Sequence, residues 1–205
     1  MKEKLIYTRR EFVAAGLLVV PLLKASACAA ESNSGGCPPT ARGAGGPFYR
    51  AGAPWTSRLC SPEEPGEPLL VAGRVTAADT CRPVAGALLD VFQADAEGRY
   101  DSQRPGFTPE TFHLRGRMKA DAEGRYRIET VLPGLYPGRA RHIHFVVSAP
   151  GYAPLVTECY FEGDPRAASD PLVRRPLVLP LSDFTQEQDR RKYRRATFDL
   201  VLAKA

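Results

Sequence analysis

His142, Ile143 and His144 form a His-x-His unit, and it uses two of the chain's three histidines. The unit opens an apolar run over residues 142–149 that Pro150 and Gly151 close, which reads as a β-strand. Residues i and i+2 of a strand share a face, so the two imidazoles project together and Ile143 turns to the other side. Two same-face imidazoles make a bidentate metal site. The alternative is a surface or hydrogen-bonded pair, but unpartnered imidazoles in an apolar strand would be expensive to bury. Tyr136 lies six residues before His142 in a loop rich in Pro and Gly. A phenol ionises at about pH 10 when free, so as a ligand it calls for a strongly Lewis-acidic cation such as Fe(III). Arg139 stands three residues before His142. Its fixed fork of donors suits negative charge developing on a ligand; the alternative is an ordinary loop charge. Copper or zinc on the two histidines alone is a further reading of the same residues.

The elements that must hold these groups are short. Strand-like runs cover residues 69–76, 84–93, 112–120, 126–132, 142–149, 155–161, 176–181 and 197–202, with turn signals between them. This spacing predicts an all-β fold, an antiparallel β-sandwich with long loops. One helix is expected over residues 182–194, capped by Ser182 or Asp183. The hexapeptide Asp-Ala-Glu-Gly-Arg-Tyr occurs twice, ending at Tyr100 and at Tyr126. In each copy a Gly-containing turn feeds a tyrosine forward, and six residues are too few to define a repeat architecture.

Taken together, these strings resemble a known family. Tyr136-Pro137-Gly138-Arg139-Ala140-Arg141-His142-Ile143-His144-Phe145 is similar to the iron-binding segment of the intradiol ring-cleavage dioxygenases, the group of protocatechuate 3,4- and catechol 1,2-dioxygenases. Gly46-Pro47-Phe48-Tyr49 resembles an early motif of that family, and residues 91–100 resemble the segment carrying its first tyrosine. Residues 148–152 and 157–161 match the strands after the histidines, so the likeness covers about residues 45–203 in the right order. The resemblance implies an intradiol-type sandwich with Fe(III) held by Tyr100, Tyr136, His142 and His144. It implies a catechol-type diol and O₂ as substrates and a muconate-type diacid as product. Tyr136 would leave the metal and take a substrate proton, and Arg139 would stabilise charge on the ring. Tyr49 and Trp55 are candidate liners of the substrate opening. Tyr126 is the internal rival of Tyr100, and His113 reads as structural or exposed. Three departures from the family pattern bear on substrate identity: a short loop between Tyr136 and His142, Phe92 where Trp is common, and Arg141 where Pro is usual.

Composition bounds the remaining classes. The net charge is +5 over 205 residues, but the first thirty residues hold five basic and two acidic side chains, leaving 23 basic against 21 acidic. That balance argues against a nucleic-acid partner; the basic run at residues 190–195 reads as a solvated surface. Residues 1–30 read as an export signal. Arg9 and Arg10 precede Phe12 and an apolar run too short to span a bilayer, which resembles a twin-arginine signal. A periplasmic or extracellular location follows, with Cys28 a candidate for lipidation. Residues 31–68 read as linker and covering loops, and 69–205 as the catalytic sandwich. In an oxidising compartment Cys37, Cys60, Cys81 and Cys159 permit three pairings among which sequence does not choose. A rival of another class is a non-catalytic transthyretin-like binding sandwich, suggested by Gly73-Arg74-Val75 and Pro83-Val84-Ala85-Gly86-Ala87.

Overall fold

The computed structural model describes residues 36–187 and 190–205. The export signal and Cys28 lie outside the described residues. Among the described residues, ten strands form two five-stranded sheets. In the first, β1 (Pro68–Ala77) is central. It pairs antiparallel with β4 (Arg125–Val131) on one edge, and parallel with β9 (Lys192–Thr197) and then β10 (Leu200–Leu202) on the other. β8 (Ser182–Thr185) completes it beyond β9. The second sheet has the order β3 (Arg115–Lys119), β2 (Leu88–Gln93), β5 (His142–Ser148), β6 (Leu155–Phe161), β7 (Val178–Leu179).

Period-two alternation builds the core. Leu69, Val71 and Val75 of β1 and Ile128 of β4 face Leu89, Val91, Ile143, Phe145, Val147 and Cys159, all fully buried. Gly73 interrupts the β1 series where the chain passes from β9 to β10: a Cβ there would lie 2.0 Å from the Phe198 carbonyl oxygen. Residues 54–59 close one side of the sandwich. Thr56 N–H donates to Arg117 on β3, and Leu59 N–H to Glu129 on β4. The opposite side is closed by residues 40–43, whose amides reach Val201 and Val156. Cys37 and Cys81 form a disulfide, while Cys60 and Cys159 remain thiols. Burial pushes the Cys60 thiol up to about 11 and raises that of Cys159 as well.

Two expectations are corrected. The sheets are mixed, because β1–β9, β1–β10 and β6–β7 pair in parallel. The helix over residues 182–194 does not form; β8 and β9 make an antiparallel pair with Phe184 opposite Tyr193. The segment has polar helix-formers but no apolar stripe of helical period. β1 offers it an unpaired edge, and as a strand there it buries Tyr193 and Ala196, one on each face, while Lys192 and Arg195 stay exposed.

Candidate metal centre

The chemistry-bearing residues lie on the outward face of the second sheet. The register sets one row across four strands: Arg115 on β3, Phe92 on β2, His144 on β5 and Glu158 on β6. Its members stack and pair. The Arg115 guanidinium lies 5.0 Å from the Phe92 ring centre, and the Phe92 ring lies 4.3 Å from the His144 ring, nearly parallel to it. His142 occupies the next row opposite Tyr160. Ile143 points into the core, as the alternation requires.

Tyr100 arrives from a loop. In its hexapeptide the Asp95 carboxylate accepts from the Glu97 and Arg99 amides, and Gly98 adopts φ +82°. A Cβ on Gly98 would lie 2.3 Å from the Leu135 carbonyl oxygen, and Gly134 N–H donates to the Asp95 carbonyl. The turn before Tyr100 is thus locked to the loop that carries Tyr136. The second hexapeptide makes the same turn through Asp121, but it feeds β4, and Tyr126 donates to the Phe198 carbonyl away from the histidines. One motif serves two destinations because only one copy is followed by a ladder partner.

Three donor atoms converge. Tyr100 Oη lies 3.1 Å from His142 Nε2 and 3.0 Å from His144 Nε2, and the two nitrogens are 3.1 Å apart. His142 Nδ1 donates to the Ala140 carbonyl at 2.7 Å, so its Nε2 presents a bare lone pair to the triangle. Burial lowers the pKa of both imidazoles, His144 strongly and with help from His142 and Arg139, keeping them neutral ligands at neutral pH. Burial also raises the Tyr100 phenol, with Glu158 adding to it. A buried, convergent set of lone pairs is unfavourable by itself and favourable around a cation. Ligands about 2.1 Å from one ion at right angles stand about 3.0 Å apart, so the triangle fits a metal. Among the described residues no group of three or more His, Cys, Asp or Glu is arranged to hold a metal; here a phenol supplies the third vertex.

Tyr136 is half-buried at the edge of this triangle. Its ring meets Tyr100 edge-on at 5.7 Å and Phe48 at 5.4 Å, and its hydroxyl makes no hydrogen bond among the described residues. Phe48 stacks on Tyr100 at 4.2 Å. Arg139 is tethered: Nε donates to Asp170 at 2.8 Å, and Nη2 to Glu158 at 2.6 Å and to Tyr160 Oη at 2.8 Å. Burial opposes its charge, but the Asp170 hydrogen bond and the Glu158 charge outweigh it and raise the pKa. Nη1 has no partner among the described residues. Tyr49 lies 5.7 Å from the Phe92 ring and donates to Asp90. Trp55 is 58% exposed and packs against Arg117 and Lys119, with no described contact to the triangle. His113 pairs with Glu64 at 2.9 Å.

Sequence reasoning missed the acidic partners. Glu158 and the side chain of Asp170 are fully buried, and Asp101 holds Arg115 through two hydrogen bonds of 2.6 and 2.7 Å. Glu158 left a trace, since it is the only charge in the apolar run 155–161. Asp170 and Asp101 sit in polar loops and left none.

Residues 45–204 match the sequence profile of the family described as Dioxygenase. The 6-chlorohydroxyquinol 1,2-dioxygenase of Cupriavidus pinatubonensis is 36% identical over 179 residues, covering 77% of this chain and 62% of that protein. The protocatechuate 3,4-dioxygenase beta chain of Burkholderia cepacia is 38% identical over 157 residues, covering 67% and 65%. The chain therefore spans less than two thirds of these relatives' length. Among solved structures, the dioxygenase domain of a dioxygenase–carbohydrate-binding fusion from Streptomyces sp. SirexAA-E superposes with a TM-score of 0.70 at 36% identity, covering 82% of this chain and 100% of that one. The transthyretin-like binding module finds no support in these likenesses. Profile, relatives and architecture agree, and the chain belongs to the intradiol dioxygenase family.

Proposed function

We propose that this protein is a non-haem Fe(III) dioxygenase that cleaves a catechol-type ring between its two hydroxylated carbons, adding both atoms of O₂ to give a muconate-type diacid. The observation that carries the reading is the buried triangle of Tyr100 Oη, His142 Nε2 and His144 Nε2, with Tyr136 beside it. Those four residues would hold the ion, whose Lewis acidity and electron exchange with ring and O₂ supply the redox chemistry. The chain's own groups handle protons, charge and water. Tyr136, which would serve the ion as a phenolate, is the base that takes a proton from the diol at Oη and becomes the neutral phenol. Arg139, held at Nε and Nη2 by Asp170, Glu158 and Tyr160, presents Nη1 to negative charge on the ring. Phe48 and Phe92 cover Tyr100 and His144 and keep water from the reacting atoms. Tyr49, beside Phe92, lines the approach in this reading, whereas Trp55 packs on Arg117 and Lys119 away from it. The relatives' names point to catechols bearing hydroxyl, chloro or carboxylate groups as the substrates to try.

The test is iron loading followed by O₂ uptake on a panel of catechols with product identification. Iron-loaded protein is expected to be red to brown, because ferric phenolates absorb visible light, and Tyr136→Phe is expected to shift that band and slow turnover. A colourless protein that binds copper or zinc and leaves catechols intact would overturn the reading. The same proposal places the enzyme outside the cytosol. The Cys37–Cys81 disulfide supports export, since such bonds persist in oxidising compartments. Replacing Arg9 and Arg10 by Lys should strand the protein in the cytosol, and a mass increase at Cys28 would reveal a lipid anchor.

A further inference from the structure

We propose that Glu158 is a positioning residue for the metal centre: its carboxylate receives the Nδ1–H of His144 and so fixes the tautomer that leaves His144 Nε2 free for the ion. The inference rests on the metal-centre reading above and adds to it a residue with no side-chain contact to Tyr100 or His142.

Two buried atoms among the described residues identify the pair. His144 Nδ1 and Glu158 Oε1 both lack a hydrogen-bond partner, and they lie 3.4 Å apart. The register that sets His144 opposite Glu158 holds them face to face. The rest of the carboxylate is committed: Oε2 accepts from Arg139 Nη2 and from Tyr160 Oη. Arg139 places its positive charge directly against this fully buried side chain.

The two tautomers of His144 differ sharply in this frame. With the proton on Nε2, the ring would donate into the triangle, but Nδ1 would then set its lone pair against a carboxylate oxygen at 3.4 Å. With the proton on Nδ1, a shift of a few tenths of an ångström makes a charge-assisted hydrogen bond of ordinary length. Nε2 then turns a lone pair toward Tyr100 and His142. His142 uses the same arrangement, its Nδ1–H held by the Ala140 carbonyl. The two ligands are thus locked differently, one by a neutral backbone oxygen and the other by a buried anion. The one competitor is the Ala44 carbonyl, which approaches the same ring and raises its basicity.

Two measurements decide the matter. In the metal-free protein, ¹⁵N NMR is expected to show His144 protonated on Nδ1 and bare on Nε2. The Nδ1–H resonance should move upfield in Glu158→Gln, as its acceptor loses charge. Chelator competition for Fe(III) then reads the consequence: Glu158→Ala weakens binding by about 10–100-fold. Glu158→Gln, which keeps an acceptor oxygen, stays within about threefold, as does Tyr160→Phe, which removes another partner of the same carboxylate without touching His144. An Nε2–H tautomer, or an Nδ1–H signal unmoved in Glu158→Gln, would show that Ala44 or nothing holds the ring and would end the proposal. Those signals are read without metal, so they stand even if Fe(III) fails to bind the wild-type protein, an outcome that would instead sink the functional reading.

Discussion

The two faces of the β2–β5–β6 sheet are chemically opposite, and around the candidate site both are dry. On the inner face Leu89, Val91, Ile143, Phe145, Val147 and Cys159 meet the other sheet; on the outer face Phe92, His142, His144, Glu158 and Tyr160 are as deeply buried. Inside, burial comes from sheet packing and each side chain adds apolar area. Outside, it comes from loops whose polar groups pair with one another and with the sheet: Asp170 with Arg139 and the Ala140 amide, Asp164 with the Arg141 amide, Asp101 with Arg115 on β3. The difference teaches that stability on the inner face is a sum over contacts. On the outer face it depends on completeness, because removing one partner leaves another charge or dipole stranded.

The comparison breaks most visibly at His144. His144→Ala is expected to reduce O₂ uptake and iron content by at least about 100-fold, more than any change in the residues around the ligands would, while circular dichroism still reports a folded sandwich. Undiminished turnover would remove the outer face from the chemistry. Phe145→Ala, one residue away on the other face, is expected to cost about 3–5 kcal/mol in urea unfolding with iron per folded molecule unchanged. A selective loss of iron in that variant would mean the faces are not separable.

Acid sharpens the contrast. Burial raises the Asp101 carboxyl, but hydrogen bonds from Arg115 outweigh it and hold the group below its ordinary range. Asp101 therefore contributes stability fully above about pH 3.9, the unfolded value, and that contribution disappears as pH falls through the lower folded value. Wild-type stability should decline below about pH 3.9, and Asp101→Asn should start lower and fall less steeply there. Phe145→Ala should run parallel to wild type, and a parallel Asp101→Asn curve would deny the ion pair its role. The smallest effects belong to the rim. Tyr49→Ala, which removes a ring beside Phe92, should raise KM several-fold, and Trp55→Ala should change stability by no more than about 0.5 kcal/mol and KM by less. A larger KM effect at Trp55 would move the substrate opening toward Arg117.

Legibility in the sequence followed the same divide. Period two exposes which strand residues point together, so the His142–His144 pair and the inward Ile143 could be read directly. The strand over residues 155–161 matched β6 throughout, because apolar runs bounded by turns constrain themselves locally. The helix expected over residues 182–194 failed because the deciding fact, an open edge on β1, lies more than a hundred residues away. Glu158, Asp101 and Asp170 escaped notice for a related reason. A buried carboxylate is specified by its partner, and the partners Arg139 and Arg115 carry no spacing relative to them that a linear reading could use. Tyr100 was reachable only through family likeness, since its twin Tyr126 has an identical local sequence.

The loops that roof the outer face have a consequence for how such a protein changes over generations. Segments 46–50, 133–141 and 162–175 meet a sheet whose other side is already sealed, so insertions or trims in the roof leave the apolar interior undisturbed. A lineage can therefore reshape what it admits to the candidate site by editing these loops, and each experiment risks the site's chemistry without risking the molecule.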